Sequence, residues 1–201
     1  LDHWLPDSSL PPGGTVLDVG AGIGDEVLVF SRAAGLTGRV LAIEAHPGTF
    51  SCLQQTIELN GLTNCRAANV AVSDAAGKIR MVSGDSYLTG KITSTGAGDV
   101  LVDALTIPEL LNSLAIDSVD FMKINIEGAE LLALRGCIGS FHRIKKMAIS
   151  CHDFIADADS AESAMRTFDA VVELLISNGY RVSTRRDDPR PWVRYYVYAE
   201  H

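Results

Sequence analysis

The sequence predicts a doubly wound α/β fold built on a mainly parallel β-sheet. Three observations indicate it: buried-strand patterns alternate with helical ones, turns rich in Gly, Pro or Asn separate them, and 201 residues suit one domain. We therefore expect a single domain over residues 1–201, in which residues 1–14 are an N-terminal lead-in. Sheets of this kind carry helices on both faces and bind ligands at the carboxyl ends of their strands.

Two strand–helix units are predicted at the beginning of the chain. The β-branched and apolar stretch 15–19 is typical of a buried strand, and apolar residues at helical spacing indicate a helix over 25–34. A strand over 39–43 and a helix over 47–59 follow. A proline near the start of this second helix and an Asn-Gly pair after its end mark its bounds.

The rest of the chain continues the alternation. Strands are predicted over 65–72, 78–82, 119–124, 146–151, 180–184 and 193–199, and helices over 108–114, 127–134 and 161–177. A tight connection can join the last two strands, which predicts an antiparallel edge strand. Residues 83–98 are rich in Gly, Ser and Thr, a composition typical both of a flexible loop over an active site and of an ordinary surface loop.

Composition narrows the classes of function. Acidic residues outnumber basic ones by 25 to 17, for a net charge of −8, so we expect no nucleic-acid partner. No apolar run is long enough to cross a bilayer and the first residues lack the pattern of a secretory signal, so we expect no membrane partner. The four cysteines follow no metal-binding or disulfide spacing. These features predict a cytoplasmic protein.

A glycine-rich turn between the first strand and the first helix is the predicted cofactor site. Its sequence, D-V-G-A-G-I-G-D, contains the candidate binding residues Asp18, Gly20, Ala21, Gly22, Gly24 and Asp25. Glycines let the backbone bend sharply and approach a ligand closely, and the following helix start offers free N–H groups. A tight turn with a purely structural role would show the same pattern.

Asp25 distinguishes between two classes of cofactor. The nicotinamide fingerprint G-x-G-x-x-G would need glycine at this position, where an aspartate would face a pyrophosphate. S-adenosylmethionine (SAM) has no phosphate. Its ammonium can pair with Asp18 or Asp25, while backbone N–H groups bind its carboxylate. The turn therefore predicts SAM as the cofactor and no useful affinity for NAD.

Polar residues also follow the second and third predicted strands. Glu44 comes twenty residues after Gly24, the spacing at which an acidic residue accepts the ribose hydroxyls of a nucleotide. The alternative for Glu44 is an acidic charge at a helix N-terminus ahead of Pro47, which needs no ligand. Asn69, near the end of the third strand, can contact adenine or belong to an ordinary turn.

The most specific motif is V-D-F-M-K-I-N-I-E-G-A-E, from Val119 to Glu130. It resembles the D-F-I-K-I-D-V-E-G-A-E signature of the FkbM family of SAM-dependent methyltransferases, and the segments V-L-D-V-G-A-G-I-G and A-I-E-A-H-P are similar to the same family. The resemblance implies a seven-stranded Rossmann-like methyltransferase fold and O-methylation of a hydroxyl on a small molecule, such as a sugar or another secondary metabolite. It also implies that Lys123, Asn125 and Glu127 border the transferred methyl group.

Asn125 stands where the family signature has aspartate. An amide cannot act as a base and is a weaker cation ligand than a carboxylate. Asn125 can equally serve as the N-cap of the helix predicted to begin near Glu127, and Glu127 and Glu130 can be simple helix N-terminal acids. With so few converging carboxylates and with Lys123 nearby, the sequence predicts no essential divalent metal.

His152, after the predicted strand 146–151, is the candidate general base. A neutral imidazole can take the hydroxyl proton as the oxygen attacks the methyl carbon. The alternative for His152 is a hydrogen-bonded or solvent-facing loop histidine, and we expect His46 to lie on the surface. Two other functions stay open: N-methylation, which needs no strong base, and a SAM-binding partner protein without catalysis.

Overall fold

The computed structural model describes residues 3–5, 10–82, 91–92 and 100–201. Within these residues, no helix is both long and apolar enough to span a membrane. The predicted loop over 83–98 lies outside the described residues, apart from a short strand at 91–92.

Strands and helices alternate along the described chain. The strands are β1 (Thr15–Val19), β2 (Arg39–Ile43), β3 (Cys65–Ala68), β4 (Ala71–Val72), β5 (Gly77–Val82), β6 (Lys91–Ile92), β7 (Val100–Leu105), β8 (Val119–Ile124), β9 (Ile144–Ser150), β10 (Arg181–Thr184) and β11 (Tyr196–Glu200). The helices are α1 (Val27–Ala34), α2 (Pro47–Leu59), α3 (Ile107–Ser113), α4 (Glu130–Arg135), α5 (Asp153–Ala158) and α6 (Phe168–Ser177).

Seven strands form the main sheet, in the order β10-β11-β9-β8-β1-β2-β3. β1 pairs in parallel with β2 and β8, β2 with β3, and β8 with β9. β11 runs antiparallel to both β9 and β10. The predicted seven-stranded doubly wound sheet with an antiparallel edge is confirmed, and the reversed strand, β11, lies one place in from the edge strand β10.

The side chains of β1 alternate between two apolar cores, one on each face of the main sheet. Leu17 and Val19 belong to one core, and Val16 belongs to the other. Because strand side chains alternate with a period of two, Asp18 points to the same face as Val16. Lys123 of β8 is the register partner of Asp18, so the two side chains meet on that face.

A second, four-stranded sheet has the order β4-β7-β5-β6. The prediction of one strand over 65–72 is therefore wrong, since the chain leaves the main sheet after Ala68 and β4 joins the second sheet. Asn69 stabilises this break, because its side-chain N–H groups donate to the carbonyl oxygens of Glu44 and Ala45 at 2.8 Å each. β7 is not predicted by the sequence analysis, and its pairing with β4 and β5 defines it.

Helices α1, α4 and α6 begin later than the sequence predicts, and α1 does so by only two residues. α4 begins at Glu130 rather than near Glu127, because the residues between them form a tight turn. α6 begins at Phe168, after a 3-10 segment that occupies the first part of the predicted helix. The Asp153 carboxylate accepts hydrogen bonds at 3.1 Å from the N–H groups of Thr167 and Phe168. Asp153 itself begins α5, a helix that the sequence analysis does not predict.

Candidate functional site

A cavity of about 340 Å³ opens at the carboxyl ends of β1, β2 and β8. Its polar wall consists of Glu44, His46, Thr49, Asn125 and Glu127. Its apolar wall includes Val19, Ile43, Val70, Val72, Met81 and Ile126. The cavity thus lies at the edge of the sheet where a doubly wound fold binds its ligands.

The glycine turn forms the floor of this cavity through Gly20 and Gly22. The N–H groups of Gly20 and Ala21 both donate to the carbonyl oxygen of Ile43 at 2.9 Å, which joins the turn to the end of β2. Gly20 has a φ of +76°, and a Cβ there would lie 2.0 Å from the Asn125 carbonyl oxygen. Only glycine lets the turn after β1 approach the turn after β8 this closely.

The Glu44 carboxylate is fixed at the cavity wall by two backbone hydrogen bonds. Oε2 accepts from the Gly22 N–H at 3.0 Å, and Oε1 accepts from the His46 N–H at 2.8 Å. Burial raises the pKa of the Glu44 carboxyl, although these two hydrogen bonds oppose the shift. Each oxygen keeps acceptor capacity for a ligand. The His46 imidazole accepts a long hydrogen bond from the Thr49 N–H at 3.4 Å and caps α2.

Among the polar residues of the cavity wall, the sequence analysis missed Thr49 and also His46. Its expected place on the surface is wrong, because the side chain is half-buried and lines the cavity. His46 could have been identified from its position between Glu44 and Pro47, where the chain turns from β2 into α2. An N-cap residue at the carboxyl end of a central strand lies next to any ligand bound there.

The other predicted cofactor residues do not line the cavity. Ala21 is buried, Asp25 is exposed, and a Cβ at Gly24 would lie 3.1 Å from the Leu53 side chain of α2, so Gly24 permits helix packing. Asn69 is exposed, and its side-chain nitrogen is bound to the backbone at the end of β2. This placement favours a role for Asn69 in the turn after β3 over a contact with adenine.

Asp18 and Lys123 form a buried ion pair beneath the glycine turn. Lys123 Nζ lies 2.9 Å from Asp18 Oδ1 and donates to the Gly20 carbonyl oxygen at 2.6 Å. Both residues are at most 1% exposed. Burial raises the pKa of the Asp18 carboxyl, and the Lys123 ammonium opposes that shift. Both residues therefore lie under the turn and do not line the cavity. The sequence analysis names Asp18 as a candidate partner of the SAM ammonium and expects Lys123 beside the transferred methyl group, and the structure corrects both positions.

Asn125 and Glu127 line the cavity on the turn between β8 and α4. Asn125 is not the N-cap of α4, because that position belongs to Ala129. Glu127 has a φ of 52°, a left-handed conformation that is uncommon for a residue other than glycine. The turn presents an amide and a carboxylate to the same cavity.

His152 lies behind Glu127 and does not fit the predicted role of general base. Its Nδ1 is 2.7 Å from Glu130 Oε1, and its Nε2 is 3.5 Å from Glu127 Oε1. Burial lowers the pKa of His152, but the hydrogen bonds and charges of the two carboxylates outweigh burial and raise it to about 9. The imidazole is therefore protonated at neutral pH, with both ring nitrogens already facing carboxylates, and has no lone pair for a substrate proton.

No group of three or more His, Cys, Asp or Glu side chains within the described ranges is arranged to hold a metal ion. The expectation that the protein needs no divalent metal stays a prediction.

The strand order is that of the Rossmann-like methyltransferase fold, with a glycine turn after β1 and an acidic residue after β2 at the cavity wall. The chain belongs to the FkbM methyltransferase family, because the family model described as the Methyltransferase FkbM domain matches residues 18–182. The resemblance to the FkbM family that the sequence motifs indicate is therefore confirmed.

Three relatives illustrate the similarity. Methyltransferase sdnD of Sordaria araneosa is 26% identical over 168 residues, which are 67% of this chain and 64% of that protein. The crystal structure of methyltransferase FkbM from Methylobacillus flagellatus superimposes with a TM-score of 0.64 at 18% identity, covering 96% of this chain and 45% of that chain. A SAM-dependent methyltransferase from Aquifex aeolicus gives a TM-score of 0.57 at 18% identity, covering 97% and 86%. The chain thus spans less than two thirds of the first two relatives.

We predict that alanine is much less well tolerated at Gly20 than at Gly22. Both positions have positive φ, at which an L-residue costs about 1–2 kcal/mol. Only Gly20→Ala also forces a Cβ against the Asn125 carbonyl oxygen, which should cost about 1–3 kcal/mol more. Chemical denaturation of both variants measures the difference. Equal losses of unfolding free energy would contradict the close approach of the two turns.

We also predict that His152 stabilises the fold in a pH-dependent way. Its folded pKa of about 9 exceeds the ordinary value of 6.5, so its contribution is complete below pH 6.5 and disappears as the pH rises through 9. The shift corresponds to a contribution on the order of 3 kcal/mol. The difference in unfolding free energy between the wild type and His152→Gln should narrow by about that amount between pH 6 and pH 10.

His142→Gln, which removes an exposed histidine, is the matched control and should show no such trend. A difference between the wild type and His152→Gln that stays constant over this pH range would contradict the protonated state of His152.

Proposed function

We propose that this protein transfers the methyl group of SAM to a hydroxyl of a small molecule. The observation that carries the proposal is the position of Glu44, which holds a carboxylate at the cavity wall next to the glycine turn. Glu127 lines the same cavity from the turn after β8. The cavity can therefore hold a nucleoside beside Glu44, and the Glu127 carboxylate is available to bind a methyl acceptor.

The residues of the cavity fit SAM. A volume of about 340 Å³ lies within the usual range for small-ligand sites. The Glu44 oxygens can accept hydrogen bonds from both ribose hydroxyls, and the apolar wall that contains Val72 and Met81 suits a flat base. Gly20 and Gly22 would let the backbone of the glycine turn approach the methionine end of the ligand closely.

In the proposed reaction, the protein contributes mainly alignment. When bound, SAM would supply a methyl group on a sulfonium, whose C–S bond would break toward sulfur as an acceptor oxygen bonds to the methyl carbon. Glu127 and Asn125 are the polar side chains that can orient this acceptor, because a carboxylate accepts a hydrogen bond from a hydroxyl and an amide can both donate and accept. With His152 protonated, Glu127 or solvent receives the proton.

N-methylation is the second candidate. The side-chain amide oxygen of Asn125 and the Glu127 carboxylate would also accept hydrogen bonds from an amine. An amine acceptor needs no strong base. A third possibility is that the protein binds SAM without transferring its methyl group and acts as the non-catalytic partner of another protein. The acceptor experiment described below distinguishes these three functions.

The proposed acceptor is a small molecule rather than a nucleic acid or a membrane. The net charge of −8 supports this, as do ion pairs that neutralise basic residues near the C-terminus, such as Arg181 with Glu200 and Arg185 with Asp188. We also place the protein in the cytoplasm, and its free cysteines support a reducing compartment.

We predict that Glu44→Ala weakens SAM binding strongly. Loss of two charge-assisted hydrogen bonds to the ribose should cost about 2–3 kcal/mol, or a rise of about 30- to 150-fold in Kd. Glu58→Ala removes an exposed carboxylate from α2 and should leave the affinity unchanged. Isothermal titration calorimetry measures both variants. An unchanged Kd for Glu44→Ala would contradict the site, and saturable binding of NADH would contradict the choice of cofactor.

Methyl transfer itself is tested with SAM that carries a labelled methyl group and a panel of small polyols, phenols and amines. We expect the label in a methyl ether of a hydroxyl compound. Label found only on nitrogen would replace the proposal with N-methylation. SAM binding without transfer to any compound of the panel would favour the non-catalytic alternative.

A further inference from the structure

Glu130 lies at the centre of a buried polar network behind the cavity. Its side chain is fully buried, and its Oε1 accepts hydrogen bonds from the Gly128 N–H at 3.1 Å and from His152 Nδ1 at 2.7 Å. Its Oε2 accepts a hydrogen bond from the Thr167 hydroxyl at 3.3 Å. One carboxylate thus joins the turn after β8, the end of β9 and the residue before α6.

His152 extends this network from Glu130 to the cavity wall. Its second ring nitrogen lies 3.5 Å from Glu127 Oε1. The His152 side chain is 5% exposed, whereas the Glu127 side chain is 26% exposed and lines the cavity. The network therefore ends on a carboxylate at the cavity wall, which a ligand can reach.

The backbone at Glu127 needs such support. Its φ of 52° lies in the left-handed region, and residues in this region persist where the surrounding structure holds them. Gly128, with a φ of +91°, follows, and a Cβ there would lie 2.4 Å from Met165 Sδ in the 3-10 segment before α6. The turn is therefore packed from one side and hydrogen-bonded through Gly128 to Glu130.

We propose that Glu130 and His152 are positioning residues that hold the Glu127 carboxylate where the methyl acceptor donates its hydrogen bond. Glu130 orients the imidazolium, and the imidazolium attracts Glu127 toward one side of the cavity. The proposal rests on the proposed function, since it assigns Glu127 to the acceptor rather than to SAM. It requires that the network affect the acceptor side of the cavity and leave the SAM side, around Glu44, unchanged.

The first test needs no acceptor. In His152→Gln and Glu130→Gln, we expect amide hydrogen exchange of residues 126–129 to rise by at least about tenfold, while exchange of residues 43–46 and the Kd for SAM stay within about threefold of wild type. His142→Gln should change none of these. Unaltered exchange at residues 126–129, or a matching loss of SAM affinity, would overturn the proposal.

Thermal unfolding checks that the variants are folded before exchange is measured. Because Glu130 is fully buried, Glu130→Gln has the greater risk of unfolding, and His152→Gln then decides the outcome alone.

The second test uses the acceptor that the methyl-transfer panel identifies. His152→Gln should lower kcat by about tenfold or more without raising KM for SAM, and it should have no further effect in a Glu127→Gln background. Additive losses in the double variant would show that His152 acts independently of Glu127 and would overturn the proposal. If no compound accepts a methyl group, the proposed function fails, and the exchange experiment still decides whether the network holds the turn.

Discussion

The close approach of the glycine turn to the turn after β8 is the constraint on which the site depends. Gly20 allows this approach, and the buried pair of Asp18 and Lys123 supports it from below, because Lys123 also binds the Gly20 carbonyl oxygen. Removing one partner of such a pair leaves an uncompensated buried charge, which typically costs about 3–5 kcal/mol. The pair therefore explains why two charged residues lie inside an apolar core without facing the cavity.

Three strands of the parallel sheet each supply one part of the cavity. β1 leads into the glycine turn, β2 into Glu44 and His46, and β8 into Asn125 and Glu127. Adjacent parallel strands end at the same edge of the sheet, so residues far apart in the sequence meet there. The second sheet adds apolar wall to this cavity through β4 and through Met81 of β5.

The mainly parallel main sheet with its antiparallel edge could be predicted from the sequence, because strand patterns are local signals. The glycine turn and Glu44 lie at the carboxyl ends of β1 and β2, where the sequence analysis expects them. Side-chain environments were harder to predict. Lys123 and His152 were expected at the reaction centre, but one lies beneath the turn and the other is protonated between two glutamates. Both outcomes depend on residues that only the folded chain brings together, as does the break at Asn69 that divides the predicted third strand between two sheets.

A crystal structure of the protein with S-adenosylhomocysteine, the product left when SAM loses its methyl group, tests the central claim most directly. We predict that the nucleoside lies in the cavity over the glycine turn, with both ribose hydroxyls within hydrogen-bond distance of Glu44 and the sulfur directed toward Glu127. A ligand bound elsewhere, or a ribose that leaves Glu44 bound to the backbone alone, would contradict it.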